Sequence, residues 1–591
     1  MRRFNNWWLV GVVSLGCGDD VAGSASGSSG GAESSGSASS SGESGGQVPT
    51  TAGPGSLSEG MSTGTGEAAT LTGSEGTGSS GGVSTGESSG TSAGESTGTS
   101  AGESTGESTG DASTGEGVCG DPVESMGGAI AFGGLGGEQA LGFGVGVDGS
   151  RYSGGVFFGP SVDLKPGGGA VFPAQGDSGN MWLNKVDADG GYVYGYTWPT
   201  LDGFHCYVWE FAPDVDGSVY VVGHFVGDLD FDPGPGVDKH KAGNGAGQLW
   251  GFLMKFGPDG AYQWGRHWGT SFSTAFGLAM AADGSLYVTG YFDGEIDLDP
   301  GPGVDMFTAS GVGNATNGYL SKFDHDGNYL WGRTWGVGGE VYSFDVALDG
   351  AGNPSVTGTA GGPADLDPGP GMQVHVGVGL ADTFVESFTA DGEWRWGFAI
   401  GGDNYEQIND VAVDPQGRVW VVGGVSSTSI DLDPGPGVVL QVNKGQYDGF
   451  VARYGVDGAY DASWALSGDG HENLWGISID CQGSVFVAGH FGGAVDLDPG
   501  AGVKMHVSGG ETDPFVLALD ADGAYRWSRS WPNVEYGVTQ SVKLDGDGMV
   551  HAQINFYGEI DADAGNGVVP FVSEGDEDVL LQRLRPGSGD W

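Results

Sequence analysis

One acidic motif recurs along the chain, and its side chains are of a type that binds hard cations. The motif reads D-x-D-P-G-P-G. Its two aspartates point to the same side of a strand, because successive side chains alternate. Two carboxylates beside the carbonyl groups of a glycine-rich turn are the oxygen ligands that Ca²⁺ prefers. The candidate calcium ligands are Asp228, Asp230, Asp232, Asp297, Asp299, Asp365, Asp367, Asp431, Asp433, Asp496 and Asp498.

The same motif also has a purely structural interpretation. Aspartates in turns accept hydrogen bonds from backbone N–H groups, while proline and glycine fix the shape of the loop. Two carboxylates are few for a complete calcium site, and no copy follows the EF-hand pattern. The sequence therefore leaves two interpretations open: the aspartates bind calcium, or they cap the turn.

Residues that could form a catalytic centre are sparse. The ten histidines include no H-E-x-x-H pair. His224 and His490 occupy the same position in two repeats, so we expect them to have packing or surface roles. Residues 176–179 read G-D-S-G, like a serine-protease nucleophile loop, but they stand alone. Catalysis needs an asymmetric set of groups, and a chain built from near-equivalent repeats offers none. We therefore predict no catalytic residues. An extracellular hydrolase or lyase is the alternative.

The acidic motif marks a long internal repeat. Its copies, with degenerate ones at Asp163 and Asp561, follow each other at intervals of 65 to 68 residues and give seven units. Each unit holds four short runs of β-forming residues separated by D-G turns, which is typical of antiparallel hairpins. In the third unit these runs, named A to D, are 276–281, 286–291, 319–323 and 329–335. No segment keeps a helical period.

Seven four-stranded units predict an all-β fold, a seven-bladed β-propeller over residues 118–591. The last unit lacks strand D, and residues 129–134 resemble the D strands of other units. We therefore expect the first strand to complete the last blade, which removes unpaired backbone groups at the open ends. Because B–C and D–A connections share one face of a propeller, the acidic loops should make that face negative.

Four cysteines remain to be placed in this ring. Cys206 falls in blade two and Cys481 in blade six, so they should lie too far apart to bond. Cys119 precedes the closing strand and could reach Cys481, because blade six is next to blade seven. The sequence leaves open a disulfide between Cys119 and Cys481 or three free thiols; an exported protein permits the disulfide.

Several strands resemble a known repeat family. Residues 284–291 read G-S-L-Y-V-T-G-Y and residues 448–453 read D-G-F-V-A-R. These segments are similar to the bacterial seven-bladed β-propeller repeats, or SBBP repeats, over about residues 129–591. The resemblance implies a propeller in a secreted or surface protein, and it implies no particular activity. The D-x-D-P-G loop replaces a Phe-Pro turn of many members, so a shared ligand does not follow.

The N-terminal residues resemble an export signal followed by a lipid-attachment site. Residues 1–17 combine two arginines, a short apolar run and Ser14-Leu15-Gly16-Cys17, which resembles a bacterial lipobox. We predict lipidation of Cys17 and a membrane anchor; an ordinary secretory signal is the alternative. Residues 18–117 contain no Lys, Arg or aromatic residue, so we predict a disordered tether. The expected location is an exported lipoprotein at the outer membrane or cell surface.

Charge limits the partners of such a protein. The chain carries 76 acidic and 21 basic residues, a net charge of −55. Nucleic acid is therefore excluded as a partner, because no basic footprint exists to neutralise phosphates. We predict a monomeric, non-enzymatic binding or scaffold module for an unknown protein or glycan, with calcium as its one candidate cofactor. A structural envelope protein is a further alternative.

Overall fold

The computed structural model describes residues 128–590, apart from 175–178, 200–205, 244–247, 310, 312–314, 533–534 and 564–566. These ranges form antiparallel β-sheets and contain no helix, so none that could cross a bilayer occurs in them. Seven of the sheets contain four long strands each. The all-β class and the seven blades are thereby confirmed, while the predicted signal sequence and tether lie outside the described residues.

Each blade is a sheet in the order A-B-C-D. The A strands are β2 (Glu138–Val145), β8 (Tyr207–Pro213), β14 (Gly277–Met280), β20 (Glu340–Leu348), β26 (Glu406–Val413), β32 (Glu472–Ile479) and β38 (Tyr536–Leu544). The B strands are β3 (Arg151–Phe157), β9 (Val219–Asp230), β15 (Leu286–Asp293), β21 (Pro354–Gly361), β27 (Val419–Val425), β33 (Val485–Phe491) and β39 (Val550–Tyr557).

The outer half of each blade has the same regularity. The C strands are β6 (Asn180–Val186), β11 (Leu249–Phe256), β18 (Thr316–Phe323), β24 (Asp382–Phe388), β30 (Asp448–Tyr454), β36 (Asp513–Leu519) and β42 (Asp578–Leu584). The D strands are β7 (Tyr192–Trp198), β12 (Tyr262–Trp268), β19 (Tyr329–Trp335), β25 (Trp394–Ile400), β31 (Tyr460–Leu466), β37 (Tyr525–Ser530) and, for blade seven, β1 (Gly128–Gly134).

Short strands fill the connections between strands B and C. They are β4 (Ser161–Asp163), β5 (Val171–Pro173), β10 (Lys239–Ala242), β16 (Glu295–Asp297), β17 (Met306–Thr308), β22 (Ala364–Asp365), β23 (Val374–His375), β28 (Ser429–Asp431), β29 (Leu440–Val442), β34 (Ala494–Asp496), β35 (Met505–Val507), β40 (Glu559–Asp561) and β41 (Pro570–Val572). One further short strand, β13 (Phe272–Ser273), precedes β14. We call each of these connections a rim hairpin.

Tight turns and apolar alternation explain the regularity of the blades. In blade three, Gly284 adopts a φ of 82°, and its N–H donates to the Ala281 carbonyl at 2.8 Å. Such a positive φ favours glycine and closes the hairpin between strands A and B. Apolar side chains from neighbouring blades then pack face to face, as Val288, Phe292 and Leu298 do with Trp268 of the preceding blade.

The A strands form a closed inner ring. Each contacts the next, in the order β2, β8, β14, β20, β26, β32, β38 and back to β2. Six of them contain a β-bulge at the same position, and a bulge bends a strand and redirects a side chain. The ring has seven members, as the repeat count predicts.

The first described strand completes the last blade, as predicted. β1 pairs antiparallel with β42 from Gly128 opposite Arg583 to Phe132 opposite Val579. Phe132 is buried, and its ring meets that of Trp182 in blade one edge-on at 5.6 Å. The two ends of the propeller therefore pair with each other and pack against blade one.

Several basic side chains link one blade to the next by hydrogen bonds. Lys185 Nζ donates to the carbonyls of Gly217 and Pro258 at 3.3 and 3.2 Å, and Lys322 Nζ donates to Ala390 at 3.1 Å. Arg333 Nε donates to the Gly392 carbonyl at 2.7 Å. These partners are turn carbonyls of the next blade, so the positive charges are engaged at the junctions between blades.

The rim hairpins lie on the outer edge of the propeller, which corrects the prediction of an acidic face. In blade one, β4 pairs with the end of the outermost strand β1, with Gly133 opposite Asp163. In blade three, Leu298 packs over Gly332 of strand D, and the Tyr329 hydroxyl donates to Asp305 at 2.5 Å. Each hairpin thus folds back over D strands, because its apolar residues cover the gap between neighbouring blades.

Candidate functional site

The aspartates of the rim hairpins act as caps of their own loops. Asp297 Oδ1 accepts the N–H groups of Asp299 and Asp305 at 3.2 and 2.8 Å. Asp299 Oδ1 accepts the N–H of Gly301 at 2.7 Å. The same pattern recurs at Asp365, Asp367, Asp431, Asp433, Asp496 and Asp498. In blade two, Asp230 accepts the N–H of Asp238, and Asp232 accepts that of Gly234.

The second glycine of the motif is required by the second aspartate. A Cβ atom added to Gly303 would overlap the carboxylate of Asp299, and the equivalent glycines show the same overlap. The motif is therefore one packed unit, in which Asp299 fits between backbone donors and the glycine.

The structure places the predicted calcium ligands in pairs, one pair in each hairpin. Asp228 faces Lys241 Nζ at 3.6 Å instead of joining a shared site. Within the described ranges, no three His, Cys, Asp or Glu side chains converge in a metal-holding group. Their capping role is visible in the hydrogen bonds, and calcium binding stays a prediction.

The cysteines divide into two kinds. Cys206 is free and fully buried in blade two, where burial raises the pKa of its thiol to about 11. Cys481 is disulfide-bonded. Cys17 and Cys119 lie outside the described residues, so the lipid site and the identity of the disulfide partner stay predictions.

A charged cavity lies where the A strands meet. It has a volume of about 90 Å³, and residues from all seven A strands line it. Four of them are ionisable: Glu210 in blade two, Asp345 in blade four, Asp410 in blade five and Lys543 in blade seven. The inner ring thus brings together groups from four blades, which is the asymmetry that catalysis or selective binding requires.

Two pairs organise this cavity. Lys543 Nζ lies 3.8 Å from Glu210 Oε1. Asp345 and Asp410 form the second pair, and the charge of Asp410 acts on the carboxyl of Asp345. Backbone donors fix the second pair: Val411 N–H donates to Asp345 Oδ2 at 3.2 Å, and Ile477 N–H donates to Asp410 Oδ2 at 2.9 Å.

Burial and charge shift the pKa values in the cavity. Burial raises the pKa of Glu210 to about 7, although Lys543 counteracts it. Burial, followed by the charge of Asp410, raises the pKa of Asp345 well above its ordinary value. Burial alone would lower the pKa of Lys543, but the three carboxyl groups together raise it. The protonated form of Asp345 therefore persists to higher pH than that of an exposed aspartate, because burial and the neighbouring carboxylate both disfavour its ionised form.

None of these four residues is among the site residues predicted from the sequence, although the sequence contains a signal for three of them. Glu210, Asp345 and Asp410 directly follow the β-bulges of their A strands. At the same position the other blades carry Gly142, Gly277, Gly476 and Ser541. Alignment of the A strands would have shown three acids among small residues.

The bulged residues form a second layer along the inner ring. Trp209 Nε1 donates to His224 Nδ1, and Trp475 Nε1 donates to His490 Nδ1, both at 3.0 Å. Phe276 lies 4.6 Å from Trp209 between ring centroids. The two histidines therefore hold indole rings in place, which agrees with the packing role predicted for them.

The chemistry available at the cavity is limited by its geometry. A carboxyl pair that shares a proton can act as acid and base together, as in aspartic proteases. Glycoside hydrolysis needs two carboxyls separated by at least about 5 Å. Asp345 and Asp410, which act directly on each other, resemble the first arrangement more than the second.

Known protein families and curated proteins share little sequence with this chain. No family model matches the chain, so membership of the SBBP family stays a prediction. An uncharacterized WD repeat-containing protein of Acanthamoeba polyphaga mimivirus is 22% identical over 375 residues, 52% of this chain and 26% of that protein. Regulatory protein FlaEY of Caulobacter vibrioides is 24% identical over 181 residues, 30% of this chain and 17% of FlaEY. The chain thus spans about a quarter or less of these relatives.

Solved structures give distant likenesses. An ulvan lyase of a new polysaccharide lyase family is 10% identical, with 78% of this chain and 96% of that chain covered and a TM-score of 0.38. Phage phi92 endosialidase is 9% identical, with 78% and 69% covered and a TM-score of 0.32. At such values neither structure supports an inference about activity. The seven-bladed architecture rests on the strand pairing described above, and the function must be argued from the charged residues.

Proposed function

We propose that this protein is an exported, surface-anchored propeller that acts as a non-enzymatic binding or scaffold module for a basic partner. The observation that supports it most directly is the position of the acidic motifs. Six rim hairpins carry paired aspartates, or the degenerate pair Asp561 and Asp563, and these hairpins follow each other around the outer edge. The result is a negative belt on the circumference.

Several basic residues of strands C and D do not neutralise this belt, unlike Lys241, which lies in a rim hairpin and faces Asp228. Lys185, Lys322, Arg333 and Arg529 direct their donors at turn carbonyls of neighbouring blades. Their charges are partly buried and lie away from the hairpin loops. A partner with a lysine- or arginine-rich patch would therefore be attracted to the rim, and salt would weaken that attraction.

The test uses a decalysine peptide and five conservative substitutions, Asp232→Asn, Asp299→Asn, Asp367→Asn, Asp433→Asn and Asp498→Asn. Asparagine keeps a capping oxygen and removes the charge. We expect the wild type to bind the peptide at 50 mM NaCl and lose it at 500 mM, with at least tenfold weaker binding by the fivefold variant. The control carries five Asp→Asn changes in A–B and C–D turns. Equal weakening by both variants would contradict a rim site.

One observation favours the alternative, an extracellular hydrolase. Asp345 and Asp410 line the same cavity, where burial raises the pKa of Asp345, and paired carboxyls of this kind perform acid–base hydrolysis in aspartic proteases. Incubation with peptide and polysaccharide panels distinguishes the two functions. Turnover by the wild type that Asp345→Asn abolishes, without a change in Tm, would establish the enzyme and displace the binding proposal.

A further inference from the structure

The seam at which the ring closes is lined by carboxyl groups. Glu138 begins β2 in blade one, and Asp578 begins β42 in blade seven. Both side chains are buried, at 0% and 4% exposure. Each carboxyl acts on the pKa of the other, and a hydrogen bond between them requires that one of them carries a proton.

Each carboxyl of the pair accepts one hydrogen bond from the backbone. Gly134 N–H donates to Glu138 Oε2 at 2.8 Å, and Glu574 N–H donates to Asp578 Oδ2 at 3.1 Å. No donor among the described residues reaches Glu138 Oε1 or Asp578 Oδ1. The space on the β1 side is closed as well, because a Cβ atom on Gly133 would overlap the Asp578 carboxyl.

The charged groups named as acting on this pair among the described residues are acidic. Asp576 acts on Glu138, and Glu574 acts on Asp578. Glu577 is held by Gln139, whose Nε2 donates to Glu577 Oε2 at 3.0 Å. β1 contributes the backbone of its glycines. A carboxylate pair formed here by loss of the proton would have no basic counter-charge among these groups.

Related pairs occur at two other junctions and not at the remaining four. Asp382 of blade four faces Glu406 of blade five, and Asp448 of blade five faces Glu472 of blade six. At the corresponding positions of β8, β14, β20 and β38 stand Cys206, Ser273, Val341 and Gly537. The pair is therefore a property of particular junctions and is not a requirement of the repeat.

We propose that Glu138 and Asp578 form a proton-dependent latch, which holds β1 in the ring at acidic and neutral pH and releases it at alkaline pH. β1 is the only strand of blade seven that comes from the other end of the described chain. Loss of the shared proton places two carboxylates between β2 and β42, next to β1. Repulsion in a buried site then weakens closure at the point where the ring has no covalent continuity.

The direction of the pH effect follows from the pKa values. Burial, and then Asp578, raises the pKa of Glu138 from 4.5 to about 8, and burial raises that of Asp578 from 3.8 to about 6. Groups with a raised folded-state pKa stabilise the fold fully below their ordinary pKa. That stability is lost progressively as the pH rises from the ordinary value to the folded-state value, from 3.8 to about 6 for Asp578 and from 4.5 to about 8 for Glu138.

The test compares the wild type with Glu138→Gln, whose amide can donate to the Asp578 carboxylate without a titrating proton. Amide exchange of residues 128–134, corrected for intrinsic rates, is measured by mass spectrometry from pH 6 to pH 9. We expect at least a tenfold loss of protection in the wild type and little change in the variant. Asp578→Asn serves the same purpose if Glu138→Gln does not fold.

Glu406→Gln is the matched control, because it removes a similar carboxyl at a junction that β1 does not touch. It should leave the pH dependence of β1 exchange as in the wild type. The proposal fails if wild-type β1 keeps its protection at pH 9, or if Glu138→Gln retains the wild-type pH dependence. Suppression of the alkaline change by millimolar Ca²⁺ would show that the pair holds a cation instead of a proton, and would also overturn the latch.

Discussion

The second aspartate of each rim hairpin shows how one side chain can determine which residue types fit beside it. Asp299 accepts the Gly301 N–H, and its carboxylate lies against the Cα atom of Gly303. Proline fixes φ on either side of this contact. Backbone hydrogen bonds and close packing against glycine therefore give the motif the same shape from blade to blade.

Gly303→Ala tests this packing directly. The new methyl group would overlap the Asp299 carboxylate, so we expect the free energy of unfolding to fall by about 1–3 kcal/mol. Val304→Ala is the control, since Val304 is 74% exposed and should change stability by less than about 0.5 kcal/mol. Urea denaturation measures both. Equal stability of the two variants would show that the loop relaxes around an added methyl.

Lys543→Met removes the positive charge of the central cavity. Glu210 and Asp410 would then remain partly buried without their cation, and we expect a loss of about 2–4 kcal/mol at pH 8. The loss should be smaller at pH 5, because protonation of the carboxyls removes the uncompensated charge. Calorimetry at both pH values measures it. Lys241→Met, at an exposed ion pair, is the control and should cost under about 0.5 kcal/mol.

At the scale of secondary structure, β1 differs from every other strand. It pairs with β42 on one side and with the short strand β4 on the other. No turn connects it to blade seven, so its position depends on side-chain packing and on ladder hydrogen bonds. Closure by such a strand is a weak point unless its buried residues hold it.

Phe132→Ala measures the contribution of β1 packing. Phe132 is buried against Trp182, so we expect a loss of about 3 kcal/mol in the free energy of unfolding. Leu135→Ala, next to the strand but 70% exposed, is the matched control and should have little effect. If Phe132→Ala is as stable as Leu135→Ala, β1 does not secure the ring.

The disulfide of Cys481 gives a second prediction about elements near the closure. We expect peptide mapping without reduction to recover Cys481 linked to Cys119, which precedes β1 in the chain. Cys206 should react with alkylating reagents only after unfolding, because it is buried. Recovery of Cys481 with any other cysteine would contradict the predicted pairing.

Strand positions were predictable from the sequence, while the arrangement of loops and of the central cavity was not. The D-G turns and the period marked strands B and D of blade three almost to their ends, since Leu286 and Tyr329 begin β15 and β19. The rim hairpins could not be oriented, because their direction depends on contacts with D strands such as that of Leu298 with Gly332. Glu210 and Asp345 meet only through the curvature of the whole ring.

At the scale of the whole molecule, charge is the dominant property. A net charge of −55 opposes the compact state through self-repulsion, and counter-ions reduce that penalty. The paired aspartates around the rim concentrate the repulsion in one zone. Stability should therefore depend on ionic strength even in the absence of any specific ion site.

Melting experiments separate general screening from specific calcium binding. We expect Tm to rise with NaCl, because salt screens the carboxylates. At equal ionic strength, CaCl₂ should raise Tm further only if the hairpin aspartates bind calcium, and EDTA should reverse that excess. Identical curves for the two salts would leave the aspartates with their capping role alone.

The rim hairpins also affect how densely copies of this protein can be packed together without aggregation. The outermost strand of a blade would otherwise offer its backbone N–H and C=O groups to any extended segment of a neighbouring molecule. β4 occupies that edge at β1, and the bridge between Val337 and Asp365 does so beside β19. A densely displayed population of these propellers would thus resist strand exchange and amyloid-like stacking, even where local concentrations are high.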